Sequence, residues 1–450
     1  MKKSPGSAIS PVRLAPTGRR GFLKTLGFLS AGAFAPQIVR AETLGLGGGT
    51  PANSRIQMGF IGVGGKGSRN LTDFVKGFKN VECVAFCDVK QKAREAALRI
   101  AKAPAGAAYV DLREMLEKVP LDAVTISTPD HWHIPAARAC IRKGAAVYIE
   151  KPMTLFIGEG REFCTLAAAL DAKVQVGSQQ RSVYPPILKT VRAVREGRIG
   201  QLHTIRICLP KGAATFPYTV EPVPEDIDYD LWLGPAPVKP YCARRVSGSF
   251  RSILDYSAGM LADWGAHHFD IAQMALGSDV SGPGEVEGKG TFPTEGLFDA
   301  PVDYRLRYHY PKQNVTMLAG TDFEEIAKVT GIKGRSNSLL FLGSEGWIWC
   351  DRSKVLASSP SILDAGPDLE GGLDRDRHKA NFVDLITNGV PAFAPAEVGH
   401  RSATVCHIGL ISLLLGAHLK WNPDTEKFEG DRSDLANRYL WKTRRGDWYV

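Results

Sequence analysis

The chain has 450 residues and a mass of 48.8 kDa, with 44% hydrophobic and 23% charged residues. That length suits two or three domains, and the balance is globular, which excludes a largely disordered chain, a collagen-like fibre and a multi-span membrane protein. The net charge of +9 is not a nucleic-acid footprint: seven of the 56 basic residues and none of the 47 acidic ones fall in residues 1–41, which leaves 49 against 47 elsewhere with no basic stripe.

Residues 1–41 read as an export signal. Arg19-Arg20-Gly21-Phe22-Leu23-Lys24 is a twin-arginine pattern, a mildly apolar run follows over 25–34, and Val39-Arg40-Ala41 offers a cleavage site before Glu42. The other reading is an ordinary basic amphipathic terminus. The run is too short to span a membrane, which takes about 20 apolar residues. Export by the twin-arginine translocation machinery would deliver an already folded protein to the periplasm, with any cofactor inside it. Cys83 and Cys87 are four apart and the other six cysteines are single, so neither CxxC nor zinc spacing occurs and buried free thiols are expected.

Residues 42–54 are glycine-rich and read as a linker. Apolar runs at 56–61, 81–87, 121–127 and 145–150 then alternate with helical patterns at 68–77, 90–102 and 134–143. Strands alternating with helices at this spacing predict a doubly wound parallel sheet over 55–177. Beyond 177 the pattern changes. Strands are expected at 202–208, 302–310, 315–319, 338–342 and, after a turn, up to Cys350; helices at 184–196, 258–276, 379–388 and 398–419 would cover one face. No internal repeat is visible. The fold class is α/β: a doubly wound N-terminal domain, then an α+β domain over 178–450 on an open, mostly antiparallel sheet.

Gly62-Val63-Gly64-Gly65-Lys66-Gly67 matches GxGxxG where the first strand turns into a helix, and Asp88 ends the next strand. Glycines there let backbone N–H groups approach a pyrophosphate, and a carboxylate at the second position accepts from ribose hydroxyls and repels a 2′-phosphate. The pattern predicts a Rossmann-type dinucleotide site at Gly62, Gly64, Gly65, Gly67 and Asp88, with NAD favoured over NADP, although Lys90 and Lys92 lie close by. Thr128-Pro129-Asp130-His131-Trp132-His133 and Glu150-Lys151-Pro152 each follow a later strand, where ligands of open α/β sheets bind. Thr128, Pro129, His133, Glu150 and Lys151 are therefore candidate cofactor contacts. His131 and His133 alone are an incomplete metal site, and no metal is expected.

Taken together, GVGGKG, FCDV, TPDHWH, EKPMT and the stretch Ser257-Ala-Gly-Met-Leu-Ala-Asp263-Trp-Gly-Ala-His267-His-Phe-Asp270 resemble the glucose–fructose oxidoreductase/inositol dehydrogenase/rhizopine-catabolism (Gfo/Idh/MocA) family. The resemblance runs from about residue 55 to the C-terminus. It implies Lys151, Asp263 and His267 as the catalytic set, His267 as acid/base, and a homo-oligomer. Asp263 and His267 are four apart, so a continuous helix would present both on one face, the aspartate orienting the imidazole. The bland reading is a helix-start aspartate and a buried, satisfied histidine. His268, Arg181, Tyr184, Trp232 and Tyr256 are candidate substrate contacts, with Gln179, His378 and Asn381 nearby. For Trp232, core packing is the competing reading.

The leading functional expectation is an oxidoreductase that moves a hydride between a tightly bound nicotinamide cofactor and a secondary hydroxyl of a sugar, polyol or sugar derivative. A second uses the same groups for redox-neutral glycoside cleavage by oxidation, elimination, hydration and reduction. A third is a non-catalytic sugar-binding protein, which absence of Lys151 or His267 would have favoured.

Overall fold

The structure is a computed structural model that describes residues 55–332, 336–364, 374, 376–446 and 448; the expected export signal and linker, residues 1–54, lie outside the described residues. Six strands form the first sheet: β1 Ile56–Ile61, β2 Val81–Cys87, β3 Ala108–Tyr109, β4 Ala123–Ile126, β5 Ala146–Ile149 and β6 Val174–Val176. They lie in the order β3-β2-β1-β4-β5-β6, and every pairing is parallel. Each residue of β4 and β5 is buried, the signature of central strands covered on both faces. Because the chain builds outward from β1 to β3 and then returns to place β4 on the other side of β1, a crevice opens at the carboxyl ends of β1 and β4.

Nine strands form the second sheet: β7 Leu202–Cys208, β8 Glu285–Thr291, β9 Asp303–Tyr310, β10 Val315–Gly320, β11 Ser338–Gly343, β12 Trp347–Cys350, β13 Val355–Ala357, β14 Leu419–Asn422 and β15 Lys427–Glu429. Their order is β13-β12-β11-β7-β10-β9-β8-β14-β15, antiparallel except for the β7/β10 pair. β9 shows why one face is covered. Tyr304, Leu306, Tyr308 and Tyr310 alternate inward, while Arg305 and Arg307 face out. Burying each inward side chain contributes about 2 kcal/mol. They pack with Phe269 of the helix Gly265–Leu276 and Val405 of the helix Ala396–Leu415 in one core, and the Tyr308 hydroxyl donates to the Val405 carbonyl at 3.1 Å. The latter helix is long and apolar enough to cross a membrane by composition, yet 16 of its 20 residues are buried inside the protein, which marks a core helix.

Several expectations need correction. The helix expected over 258–276 is two, Gly259–Asp263 and Gly265–Leu276, interrupted at Trp264. The helix expected to 419 stops at Leu415, because Gly416 takes φ +55°, and the chain re-emerges as β14. The helix Arg377–Asn388 does not cover the second sheet: its Phe382 and Val383 join the first sheet's core beside Phe60 and Phe74. The segment just after it covers the edge of β6, where Val176 N–H donates to the Ala394 carbonyl at 2.8 Å. All eight cysteines are free, and all but Cys83 are buried.

Candidate active site

A cleft of about 560 Å³ lies at the carboxyl ends of the first sheet, closed on its far side by residues of the second half of the chain. Its glycine loop is built by close approach. At Gly62, with φ +77°, a Cβ would lie 2.8 Å from the Ser127 carbonyl carbon. At Gly67 a Cβ would overlap the Gly62 carbonyl oxygen, so Gly67 seats the helix Gly65–Gly77 on its strand and does not line the cleft. Gly64 and Gly65 do line it, with open space around Gly65. The first N–H groups of that helix have no intrahelical acceptors and form a ready anion site.

Asp88 binds the same loop. Its Oδ2 accepts from the N–H groups of Val63 (2.9 Å) and Gly64 (3.2 Å), and its Oδ1 from Lys90 N–H at 2.9 Å. Burial pushes its pKa above the ordinary carboxylate value against those donors. The two neighbouring lysines are already engaged, Lys90 Nζ on the Val246 carbonyl at 2.7 Å and Lys92 on Asp226 at 3.3 Å.

Thr128, Pro129, His133, Glu150 and Lys151 all line the cleft. The Thr128 hydroxyl is buried there without a protein partner among the described residues, the kind of orphan a bound nucleotide would satisfy. His133 ties two loops together, Nε2 3.0 Å from the Thr128 carbonyl and Nδ1 2.7 Å from that of Pro152. Glu150 accepts from Asn70 at 2.9 Å and faces Lys66 at 3.6 Å. His131 turns away, its Nε2 2.9 Å from the Trp232 carbonyl, so the two histidines of TPDHWH do not converge.

The three expected catalytic residues line the cleft together. Lys151 Nζ donates to both the backbone carbonyl and Oδ1 of Asp263, each at 2.7 Å. An ammonium has three donors, which leaves one for a substrate oxygen. Arg251 Nε also reaches Asp263 Oδ1, at 3.0 Å. Burial raises the Asp263 pKa, but the two cations outweigh it and hold the carboxyl below its usual range. The aspartate is therefore committed to Lys151 and Arg251, and the expected orientation of His267 by Asp263 is not what the geometry shows: among the described residues His267 Nδ1 has no hydrogen-bond partner. Burial first, then Lys151 and Arg352, depress the His267 pKa well below its ordinary value, so the imidazole is neutral and in the form of a base.

Of the substrate candidates, Tyr184 and Trp232 line the cleft, as does Gln179. Trp232 is also a core residue, 5% exposed and stacked on Tyr229. Three others lie outside the cleft. Arg181 is buried in a network with Asp270 (2.9 Å), Asp279 (2.8 Å) and the Phe393 carbonyl. Tyr256 is fully buried behind Trp232, its hydroxyl taken by Arg245. His268 is buried against the ring of Trp264. His378 and Asn381 likewise serve packing, His378 between Ser182 and the Val176 carbonyl and Asn381 on the Pro391 carbonyl. Arg251, Trp264, Gln180 and Arg352 line the cleft without having been singled out. For Arg251, Gln180 and Arg352 no local motif marks them; Trp264 lay inside the DWGAH stretch and was passed over for its charged neighbours.

Comparison with known proteins agrees with this architecture. Residues 56–178 match the Gfo/Idh/MocA profile "Oxidoreductase family, NAD-binding Rossmann fold", and residues 214–450 match its "C-terminal alpha/beta domain". The chain belongs to the Gfo/Idh/MocA oxidoreductase family, and its first domain is the NAD-binding one. A glycosyl hydrolase family 109 protein of Shewanella baltica is 32% identical over 160 residues, 31% of this chain and 35% of that protein. An alpha-N-acetylgalactosaminidase of Shewanella oneidensis is 27% identical over 209 residues, 41% of this chain and 44% of that one. The match thus spans about a third to under half of these relatives' length. The WlbA dehydrogenase of Bordetella pertussis, solved with NADH and UDP-GlcNAcA, superposes with a TM-score of 0.61 at 16% identity, covering 82% of this chain and 99% of that one. At that identity the likeness is one of fold.

Proposed function

We propose that the protein is an NAD-dependent oxidoreductase acting on a secondary hydroxyl of a sugar or sugar derivative. The observation that carries this reading is the Lys151–Asp263 pair beside a neutral His267, in the same cleft as the glycine loop. When bound, the nicotinamide supplies the hydride acceptor or donor. Lys151 holds the reacting oxygen with its third N–H and stabilises alkoxide character there. Asp263, itself anchored by Arg251, fixes the Lys151 ammonium. His267 takes the hydroxyl proton, and its burial keeps bulk water from competing. Asp88, a carboxylate at the end of β2 where the adenosine ribose would lie, favours NAD over NADP.

The matched glycosidases support a second reading on the same residues. Oxidation beside a glycosidic carbon acidifies the neighbouring C–H; elimination expels the aglycone, and addition of water with return of the hydride leaves no net redox change. We further propose export through the twin-arginine machinery to the periplasm with the nucleotide already bound, residues 55–177 and 178–450 as cofactor and substrate domains, and a homo-oligomer.

The test is to denature the purified chain and identify the released nucleotide by mass spectrometry, then to challenge native protein with sugars and aryl glycosides. NAD(H) in near-stoichiometric amount, with nicotinamide reduced by free sugars, supports the first reading. Aglycone release without net reduction supports the second. A chain that neither carries nor binds nucleotide overturns both.

A further inference from the structure

The turn between β12 and β13 sends into the cleft a guanidinium that the hydride chemistry does not use. The carboxylate of Asp351 serves that turn, its Oδ1 accepting from the N–H groups of Ser353 and Lys354 and from the Ser353 hydroxyl, each at 2.7 Å. The turn is thereby pinned. Arg352 leaves it and lies over two aromatic rings, its guanidinium carbon 4.6 Å from the Trp264 ring centre and 5.4 Å from that of Tyr184. With the Gln180 amide turned oxygen-first, Arg352 Nε and Nη2 donate to it at 2.9 and 2.8 Å.

Charge pairing around His267 leaves Arg352 over. Lys66 faces Glu150, and Lys151 and Arg251 share Asp263. Among the described residues Arg352 makes no ion pair; its one fixed acceptor is a neutral amide. A guanidinium has five donors, and Gln180 takes two, so three remain in the planar fork that matches an oxyanion. Nothing about stacking on tryptophan requires a charge to be withdrawn from water and left without an anion. The arrangement is that of a receptor awaiting one.

Resting on the oxidoreductase reading of this cleft, we propose that Arg352, braced by Gln180, Trp264 and Tyr184, is a specificity residue that receives an anionic substituent of the carbohydrate, the carboxylate of a hexuronic acid or a sulfate ester. The substrate class narrows from sugars at large to acidic sugars. An anion at that place also offsets a positive field that opposes proton transfer to His267.

The experiment titrates the full chain with glucuronate, galacturonate, glucose 6-sulfate, glucose and galactose. It follows tryptophan fluorescence, to which the cleft residues Trp132, Trp232 and Trp264 contribute, and separately the absorbance of reduced nicotinamide. At least one acidic sugar should bind about tenfold or more tighter than its neutral counterpart. Arg352→Gln should shrink that preference to about twofold or less, while Arg352→Lys keeps part of it; circular dichroism checks that both variants fold. Glucuronate or galacturonate ahead of the sulfate identifies a carboxylate, and the reverse a sulfate ester. Equal binding of neutral sugars, binding of no acidic sugar, or a preference that survives in folded Arg352→Gln overturns the proposal. Nucleotide content and binding of added NAD(H) are measured on the same preparation: an acid preference in a chain that neither carries nor binds NAD(H) would sink the redox reading and leave the anion site standing. Loaded nucleotide with no acid preference would do the opposite.

Discussion

The two walls of the cleft are made differently. The first is backbone and short loops: the glycine turn after β1 and the loops after β4 and β5, each a run of a few consecutive residues. The second is side chains gathered from separate elements, Tyr184, Arg251, Asp263, His267 and Arg352, none on the same strand or helix. A dinucleotide presents the same pyrophosphate and riboses to every protein, so fixed amide donors suffice for it. Proton transfer and substrate choice need charges at chosen points, and those come only from tertiary packing.

The comparison can be broken first at His267. His267→Asn should lower the rate of nicotinamide reduction by about 10²–10⁴-fold while bound nucleotide is retained. Because burial already holds the imidazole neutral, the wild-type rate should show no acidic limb from this residue between pH 6 and 8. A single-turnover pH profile with a limb near 6.5 would contradict that. Next comes Lys151→Met, which removes the polarising donor and leaves Asp263 with Arg251 alone; the expected loss is about 10²–10³-fold in turnover.

The first wall should fail through folding instead. Gly67→Ala drives a methyl into the Gly62 carbonyl and should cost roughly 3 kcal/mol in urea unfolding, with loss of bound nucleotide. Gly64→Ala, whose Cβ would sit 3.9 Å from the nearest neighbour, should fold normally and lose nucleotide only. Equal stability losses would erase the distinction between packing and contact glycines.

The smallest effect is at His131, where the walls meet. Burial lowers its pKa from 6.5 to about 3. The unfolded chain binds this proton below pH 6.5 and the folded one does not, so this histidine's contribution to stability falls as pH drops through that window. From pH 7 to 5 the loss is roughly 2 kcal/mol. In His131→Gln the pH dependence of the urea midpoint should flatten by that amount.

The difference between walls also explains what could be read from the sequence. GVGGKG, Asp88 and EKP are local patterns whose place after a strand fixes their position, and the structure puts Gly62, Gly64, Gly65, Lys66, Asp88, Glu150 and Lys151 in the cleft, while Gly67 packs behind it. Arg352 follows an apolar strand in a turn, with no spacing to mark it. Arg181, Tyr256 and His268 have the chemistry of sugar contacts, but residue type does not tell that Asp270, Arg245 or Trp264 has already claimed them. The one-face argument puts Asp263 and His267 into the same cleft, where they are, but four-residue spacing does not tell that Lys151 and Arg251 claim the aspartate. β8, reading Glu-Val-Glu-Gly-Lys-Gly-Thr, lacks the alternation of an ordinary strand because its glycines admit close packing: a Cβ at Gly288 would meet Leu306 at 2.5 Å.

The return of the helix Arg377–Asn388 to the first sheet, with Ala394 bound along β6, means that the polypeptide crosses between the two halves more than once. Two halves joined by a single tether can swing apart like a door; joined by several, they behave as a riveted box. Opening the crevice widely enough to let a dinucleotide escape would require peeling that helix and the β6 edge from their seats. Release of a nucleotide bound there is then expected to proceed at the pace of partial unfolding, so that the time the chain holds it would follow from chain routing as well as from affinity.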